Sequence, residues 1–133
     1  MSYLLDTNAC IAILNGHASV MVRIQECQLE PPWLCSPVKA ELWYGVYKSV
    51  HRQRNLESLL EFFAFLPSLP FDDQAAEIYG RLRADLNQRG VPIGPNDMLI
   101  AAVALAHDVT LVTHNVREFS RVDGLNIEDW LST

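Results

Sequence analysis

The chain has 133 residues, of which half are hydrophobic and one fifth are charged, a balance typical of a globular protein with a hydrophobic core. Its formal net charge of −6 argues against a protein that holds nucleic acid mainly through bulk positive charge. The N-terminus lacks a basic region followed by an apolar run, and no uninterrupted apolar segment could span a bilayer, so we expect neither a signal peptide nor a membrane anchor.

The three cysteines are Cys10, Cys27 and Cys35, and each of them lies outside any CxxC pair. An odd number of cysteines cannot all pair with one another, and the residues around Cys10 and Cys35 are largely apolar. We therefore expect buried, reduced thiols, as in a cytoplasmic protein.

The first half of the chain predicts two strands and four helices. Residues 2–6 form the first strand, followed by a helix that Thr7 or Asn8 caps and that ends near Gly16. A second helix covers residues 18–27, and residues 33–35 form a short strand. Ser36 as cap and Pro37 at the first helical position begin a helix that runs to about residue 50. The next helix covers 51–65, with an apolar side made of Leu56, Leu59, Leu60 and Phe63.

The second half continues the alternation of strands and helices. Residues 65–69 predict a peripheral strand because proline interrupts them, and an amphipathic helix then runs from Asp72 or Asp73 to about residue 89. After a loop rich in glycine and proline, Asn96 caps a helix over 97–107 that is apolar nearly all round and therefore buried. The last two strands are predicted at 110–113 and 125–127.

This order of elements predicts an α/β fold with a mainly parallel central sheet covered by helices on both faces. The sequence contains no repeat, low-complexity tract or flexible linker, so we expect one domain over residues 1–133. Crossover connections in such sheets are right-handed almost without exception, which restricts the topology further.

Three acidic residues stand at the ends of strands or the starts of helices. Asp6 ends a buried strand, Glu41 lies in the first turns of a helix that follows a strand, and Asp97 opens a buried helix. The segment 113–115 ends the fourth strand. Because strand ends and the starts of the following helices lie on one side of a parallel sheet, we expect these residues to meet.

Grouped carboxylates must share protons or hold a cation. At about 4–5 Å and an effective dielectric of about 20, each ionised pair costs roughly 3–4 kcal/mol. Oxygen ligands without cysteine or a histidine pair favour Mg²⁺ or Mn²⁺ over zinc. The natural chemistry of such a site is metal-assisted hydrolysis of a phosphodiester bond.

Every one of these residues also has a purely structural interpretation. Asp97 is favourable beside the helix dipole wherever a helix begins, and Glu41 is compatible with a solvated helix position. For Trp43, Tyr44 and Tyr47 we favour core and interface contacts over the alternative of platforms on which bases stack. For His107 and His114 we favour surface or capping positions.

Five sequence motifs occur in an order that covers nearly the whole chain. They are Leu4-Leu5-Asp6-Thr7-Asn8; Ala40-Glu41-Leu42 with Tyr44-Gly45; Pro95-Asn96-Asp97-Met98-Leu99-Ile100-Ala101-Ala102; Leu111-Val112-Thr113-His114-Asn115 with Glu118-Phe119; and Gly124-Leu125 with Glu128-Asp129-Trp130. With these motifs the chain resembles a PIN-domain ribonuclease, and within that group the VapC-type toxin of a bacterial type II toxin–antitoxin system.

The resemblance implies a PIN-like three-layer α/β/α sandwich and Mg²⁺- or Mn²⁺-dependent endonucleolytic cleavage of RNA, with tRNA as the substrate of some members. It implies that Asp6, Glu41 and Asp97 are the catalytic, metal-binding carboxylates. It further implies a homodimer that a cognate VapB-like antitoxin silences in the cytoplasm, away from any membrane.

At one position the chain departs from the family pattern. The family's usual fourth acid corresponds here to Asn115, whose amide brings no negative charge, so the resemblance leaves open whether one or two ions bind. Glu118 is a candidate substitute, and Thr113 is a candidate to hold a water molecule. Thr7 and Asn8 have two candidate roles, capping the first helix and positioning a metal-bound water.

Two other classes of function compete with the nuclease. A catalytically silent PIN-like interaction module is compatible with the missing fourth acid. A receiver-like phospho-acceptor domain also gathers acids at a sheet edge, but no lysine ends the fourth or fifth predicted strand to serve such a site.

Overall fold

The computed structural model of the chain describes residues 2–26 and 30–131. Within these residues the sheet consists of five short parallel strands: β1 (Tyr3–Leu5), β2 (Leu34–Cys35), β3 (Ser68–Leu69), β4 (Thr110–Val112) and β5 (Ile127–Glu128). Strand β1 pairs with β4, which pairs with β5, while β2 pairs with β3. A parallel bridge between Leu4 and Trp33 joins the two groups, so the strand order across the sheet is β3-β2-β1-β4-β5.

Helices connect the strands at nearly the predicted places. Their bounds are α1 Thr7–Leu14, α2 Ala18–Glu26, α3 Ser36–Tyr47, α4 Arg52–Phe65, α5 Asp73–Gln88, α6 Pro95–His107 and α7 Val116–Phe119. The predicted end of the second helix at Cys27 lies outside the described residues.

Helices cover both faces of the central strands. Consecutive residues of a strand point to opposite faces of the sheet. Leu4 and Leu5 of β1 and Leu111 and Val112 of β4 are each no more than 1% exposed, so both faces of these strands are covered. Helix α6 is buried along most of its length, as its apolar sequence predicts. The predicted α/β class, the parallel sheet and the three-layer α/β/α arrangement are therefore confirmed.

The caps of three helices differ from the predicted ones. Asp6, rather than Thr7 or Asn8, caps α1, and its carboxylate accepts a hydrogen bond from the backbone N–H of Ala9. Cys35 and Gly94 occupy the capping positions of α3 and α6, so the predicted caps Ser36 and Asn96 lie inside these helices. In α1 and α3 the helix begins directly after its strand, so the residue that ends the extended segment becomes the cap.

The strands are shorter than predicted, and one predicted buried residue is exposed. The segment 65–69 contributes only Ser68 and Leu69 to the sheet, because α4 continues through Phe65. In α4, Leu59 is 2% exposed whereas Leu60 is 49% exposed, so the prediction that Leu60 points inward was wrong. Adjacent helical residues lie about 100° apart, and Leu60 falls at the edge of the buried face.

The predicted state of two cysteines is confirmed. Cys10 and Cys35 are buried free thiols, while Cys27 lies outside the described residues. Across the described ranges, no helix has the length and apolar character that crossing a membrane requires.

Neighbouring leucines of α4 provide a matched test of this packing. We expect Leu59→Ala to lower the free energy of unfolding by about 2–4 kcal/mol, because it leaves a cavity in the core. Leu60→Ala removes the same atoms from a largely exposed side chain and should cost less than about 1 kcal/mol. Urea denaturation followed by circular dichroism measures both, and equal losses would contradict the assigned orientation of α4.

Candidate active site

Asp6 lies at the carboxyl end of β1 and is only 4% exposed. Its Oδ1 accepts a hydrogen bond of 2.8 Å from the backbone N–H of Ala9. Burial raises the pKa of Asp6; hydrogen bonds from Thr113 and Ala9 oppose this rise, and the charges of Glu41 and Asp129 add to it. The buried carboxyl group thus has hydrogen-bond donors on two different segments of the chain.

Glu41 reaches the same region from α3. The hydroxyl of Thr7, the first residue of α1, donates a 2.7 Å hydrogen bond to Oε1 of Glu41. Thr7 therefore does not cap its own helix but holds a carboxylate that is 34 positions away in the sequence.

Asp97 enters the site from the first turn of α6. Its pKa is raised to about 6, first by burial, then by the charge of Glu118 and a hydrogen bond with it, and finally by the charges of Asp6 and Glu41. Four carboxyl groups from four separate segments are therefore close enough to influence one another.

Asn115 links the segment after β4 to these acids. Its side-chain N–H donates to Oε2 of Glu118 at 2.6 Å and to Oδ2 of Asp97 at 3.4 Å. Its backbone N–H donates to the hydroxyl of Thr113 at 2.9 Å, and Thr113 is buried. The amide of Asn115 thus donates to both carboxyl groups of a pair that also contact each other.

The remaining predicted residue, Asn8, lies at the rim of the site. It is exposed, and together with Thr7 and Glu41 it lines an open cavity on the side of the site formed by α1 and α3. The structure therefore brings Asp6, Glu41, Asp97 and Glu118 together, and it places Asn8 beside them.

Asp129 also lies near these acids, although it was not among the predicted site residues. Asp129 follows β5, and its charge raises the pKa of Asp6. Its Oδ2 lies 3.0 Å from Nδ1 of His114, and its Oδ1 accepts a hydrogen bond from the backbone N–H of Leu131. The rule that located Asp6, an acid directly after a parallel strand, applies equally to Asp129.

The chemistry of the donors decides which cofactor fits the site. Among the described residues, no three acidic, histidine or cysteine side chains are already arranged to enclose an ion. The acids nevertheless supply only oxygen ligands, and a cation between them would relieve the mutual repulsion that raises the pKa of Asp97. A hard divalent cation fits this donor set.

The thiols argue against a zinc site or a cysteine nucleophile. Burial, followed by the charge of Asp6, raises the pKa of Cys10 well above its usual range. Burial raises the pKa of Cys35 to about 12. Both thiols therefore stay protonated at neutral pH, and a protonated thiol neither attacks a substrate nor binds a metal strongly.

The chain is similar to known proteins over nearly its whole length. The PIN domain family model matches residues 3–125. The chain is 39% identical to Ribonuclease VapC2 of Rickettsia felis over 132 residues, covering 98% of each protein. It is 41% identical to the tRNA(fMet)-specific endonuclease VapC of Shigella flexneri over 133 residues, again covering 98% of each.

A solved structure matches the fold over the same extent. A chain in the crystal structure of VapBC2 from Rickettsia felis, bound to a DNA fragment from their promoter, superposes with a TM-score of 0.93 at 39% identity. The match covers 98% of this chain and 99% of the other. The chain therefore belongs to the PIN-domain family and, within it, to the VapC-type ribonuclease toxins.

Proposed function

We propose that this protein is a metal-dependent endoribonuclease whose residues Asp6, Glu41 and Asp97 hold a divalent cation, Mg²⁺ or Mn²⁺. The observation that carries the proposal is the convergence of four carboxyl groups from separate segments, three of which raise the pKa of the fourth, Asp97. Such a concentration of like charge opposes folding unless a ligand offsets it.

The cation would supply the chemistry of the reaction. When bound, a divalent ion lowers the pKa of a coordinated water and stabilises the negative charge that develops on the phosphate. Mg²⁺ characteristically binds one or two carboxylates together with phosphate oxygens, which suits an RNA substrate.

The other residues of the site position these carboxylates. Thr7 holds Glu41 through its hydroxyl, and Asn115 holds Asp97 and Glu118 through its amide. Thr113 supports both Asp6 and the turn that carries Asn115. Glu118 supplies the negative charge that Asn115 lacks, and Asn8 faces the entering substrate.

The biological setting follows from the relatives. One relative is a tRNA(fMet)-specific endonuclease, so we propose tRNA as the substrate class to test first. The structural match comes from a VapBC complex, which supports a VapB-like antitoxin as the partner. We further propose that the toxin forms a homodimer and acts in the cytoplasm, which agrees with its buried free thiols.

The chain is proposed to form one PIN-like domain over residues 1–133. A single cluster of buried side chains extends from Leu4 to Trp130, which supports this extent. The alternative of a catalytically silent module rests on Asn115 in place of an acid; Glu118, hydrogen-bonded to Asn115, provides the missing carboxylate.

Replacing the acids by their amides tests the proposal directly. Asp6→Asn and Asp97→Asn should each lower the rate of tRNA cleavage by at least about a hundredfold, because the site loses a charged cation ligand. Asparagine also caps helices, so Asp6→Asn should keep the fold. Gel analysis of purified protein with bacterial tRNA measures cleavage, and Asp73→Asn in α5 serves as an exposed control. Native rates in both site variants would refute the assignment.

Stability in the absence of metal should depend on pH through Asp97. Folding raises the pKa of Asp97 from 3.8 to about 6, so ionisation of Asp97 opposes folding. The loss of stability grows as the pH increases from about 4 to about 6 and reaches its full size above about pH 6. In EDTA, Asp97→Asn should therefore be more stable than the native protein by roughly 1 kcal/mol near pH 8, after allowance for solvent screening, and nearly equal to it near pH 4.

The same denaturation experiment with Mn²⁺ tests cation binding. Mn²⁺ should stabilise the native protein much more than Asp97→Asn, because only the native site offers all three carboxylates. Glu57→Gln in α4 is the control, and it should gain as much from Mn²⁺ as the native protein. Equal gains in the Asp97→Asn variant would contradict a cation held by Asp97.

Replacing Glu118 tests whether it supplies the missing charge. The charge of Glu118 and its hydrogen bond raise the pKa of Asp97, so Glu118→Gln should lower that pKa. The same change should weaken Mn²⁺ binding by about tenfold. A carbon-13 NMR titration of the Asp97 carboxyl and calorimetry measure the two effects. An unchanged pKa together with unchanged affinity would exclude Glu118 from the site.

A further inference from the structure

One face of α3 carries a tyrosine and a lysine next to the carboxylates. Glu41, Tyr44 and Lys48 follow one another at spacings of three and four residues, so they lie along the same side of the helix. Tyr44 is 66% exposed, and Nζ of Lys48 lies 4.8 Å from the centre of its ring. Of the core and interface contacts predicted for Tyr44, this exposure excludes only the core contact.

These two side chains line a cavity that is continuous with the acidic site. The cavity has a volume of about 560 Å³, and Thr7, Glu41 and Asn96 contribute the wall on the side of the acids. Tyr44, Gly45 and Lys48 contribute the wall formed by α3. A polymer that places one of its phosphates at the carboxylates would pass through this space.

Gly45 keeps part of the cavity open. It lies inside α3, where glycine is less favourable than alanine, and its φ angle is not among the positive ones that require glycine. A Cβ atom added to it would meet no atom within 4 Å, so packing within the protein does not require glycine either. Because Gly45 lines the cavity, a methyl group there would occupy its open space.

We infer that Tyr44, Gly45 and Lys48 form an RNA-binding element. A base beside the scissile bond stacks on the ring of Tyr44, in the space that Gly45 leaves open. Lys48 binds the neighbouring phosphate. Aromatic side chains bind single-stranded bases by stacking, and lysine acts on phosphate as a point charge. The inference rests on the proposed ribonuclease function and names the residues that would position its substrate.

Charge favours RNA over a protein segment as the occupant. Lys48 is the positively charged residue in the lining of the cavity, and it lies about two helical turns from Glu41. A polyanion would gain from Lys48 and, through its phosphate, from the cation at the acids. An apolar peptide would instead favour the adjoining cavity lined by Ile11, Leu14, Leu42, Val46 and Leu59.

Helices α3 and α5 offer a matched control for each residue. Tyr47 is also an exposed tyrosine of α3 but stacks on Trp43. Lys39 is also a lysine of α3 and lies over Phe63 in the way that Lys48 lies over Tyr44, so the two lysines differ in their distance from the cavity and not in the type of contact. Gly80 lies inside α5, and a Cβ there would also meet no atom within 4 Å. None of these three lines the cavity.

Steady-state cleavage of bacterial tRNA gives the first readout. Tyr44→Ala and Lys48→Met should each raise KM about tenfold with little change in kcat, because they remove binding that precedes the reaction. Tyr44→Phe should recover most of the binding that Tyr44→Ala loses, since stacking needs only the ring. Lys48→Met should also lower the salt dependence of binding by about one ion. Tyr47→Ala and Lys39→Met should leave KM unchanged.

The glycines separate function from stability. Gly45→Ala and Gly80→Ala should each raise Tm by about 3 °C, because alanine is the better helix former. Only Gly45→Ala should also raise KM, by about tenfold or more. A raised KM together with a raised Tm cannot result from damage to the fold.

Binding without cleavage distinguishes this inference from the proposed function. Fluorescence anisotropy of labelled tRNA is measured in the Asp97→Asn background, with the same substitutions added. If the native protein cleaves no RNA but tRNA binding depends on Tyr44 and Lys48, the proposed function fails and this inference stands. If the native protein cleaves RNA, and neither KM nor the anisotropy changes when Tyr44 or Lys48 is replaced, this inference is overturned. Loss of antitoxin binding with unchanged RNA binding also overturns it and assigns the cavity to a protein partner.

Discussion

Mutual repulsion among carboxyl groups at one edge of a parallel sheet is the constraint on which the rest of this structure depends. Asp6, Glu41, Asp97 and Glu118 come from four segments, and the charges of the other three all raise the pKa of Asp97. Neutral donors hold these groups in place: Ala9 for Asp6, Thr7 for Glu41, and Asn115 for both Asp97 and Glu118. These donors orient the acids but carry no positive charge, so they do not neutralise the excess negative charge.

The fold creates this arrangement through the parallel order of its strands. Leu4 and Leu5 of β1 and Leu111 and Val112 of β4 are buried on both faces of the sheet, so the acidic residues are confined to the ends of these strands. The residues after β1, β4 and β5 and the first turns of α3 and α6 then meet at one edge. The neutral Asn115, placed between two acids, limits the repulsion that a fourth acid at that position would add.

The sequence was informative wherever a pattern is local and repeated. The amphipathic period of α5 and the apolar body of α6 located both helices within about two residues, and the acids after strands and at helix starts were predicted to meet. Helix caps were predicted less well, because a cap depends on where the extended backbone turns, and Asp6 took the position expected of Thr7 or Asn8. The exposure of Leu60 depends on how far the neighbouring helices reach around α4, which periodicity alone does not contain.

Two contacts between distant segments were not predicted from the sequence. Nothing local indicates that Thr7 donates a hydrogen bond to Glu41, because this contact depends on how the sheet brings α1 and α3 together. The last strand was predicted to end at residue 127, so the place of Asp129 directly after β5 became clear only from the structure. Likewise, the sequence does not show that the backbone of Gly45 borders open space, which the structure does. Local patterns thus identify the residue types that a site needs, and the three-dimensional structure shows which of their neighbours position them.

The central claim is that these acids together hold a divalent cation. The most direct measurement is anomalous diffraction from crystals of the protein grown with millimolar Mn²⁺. The account predicts one strong anomalous peak within bonding distance of carboxylate oxygens of both Asp6 and Asp97, and its loss in Asp97→Asn. A site with no peak at that concentration, or a peak bound only by other residues, would contradict it.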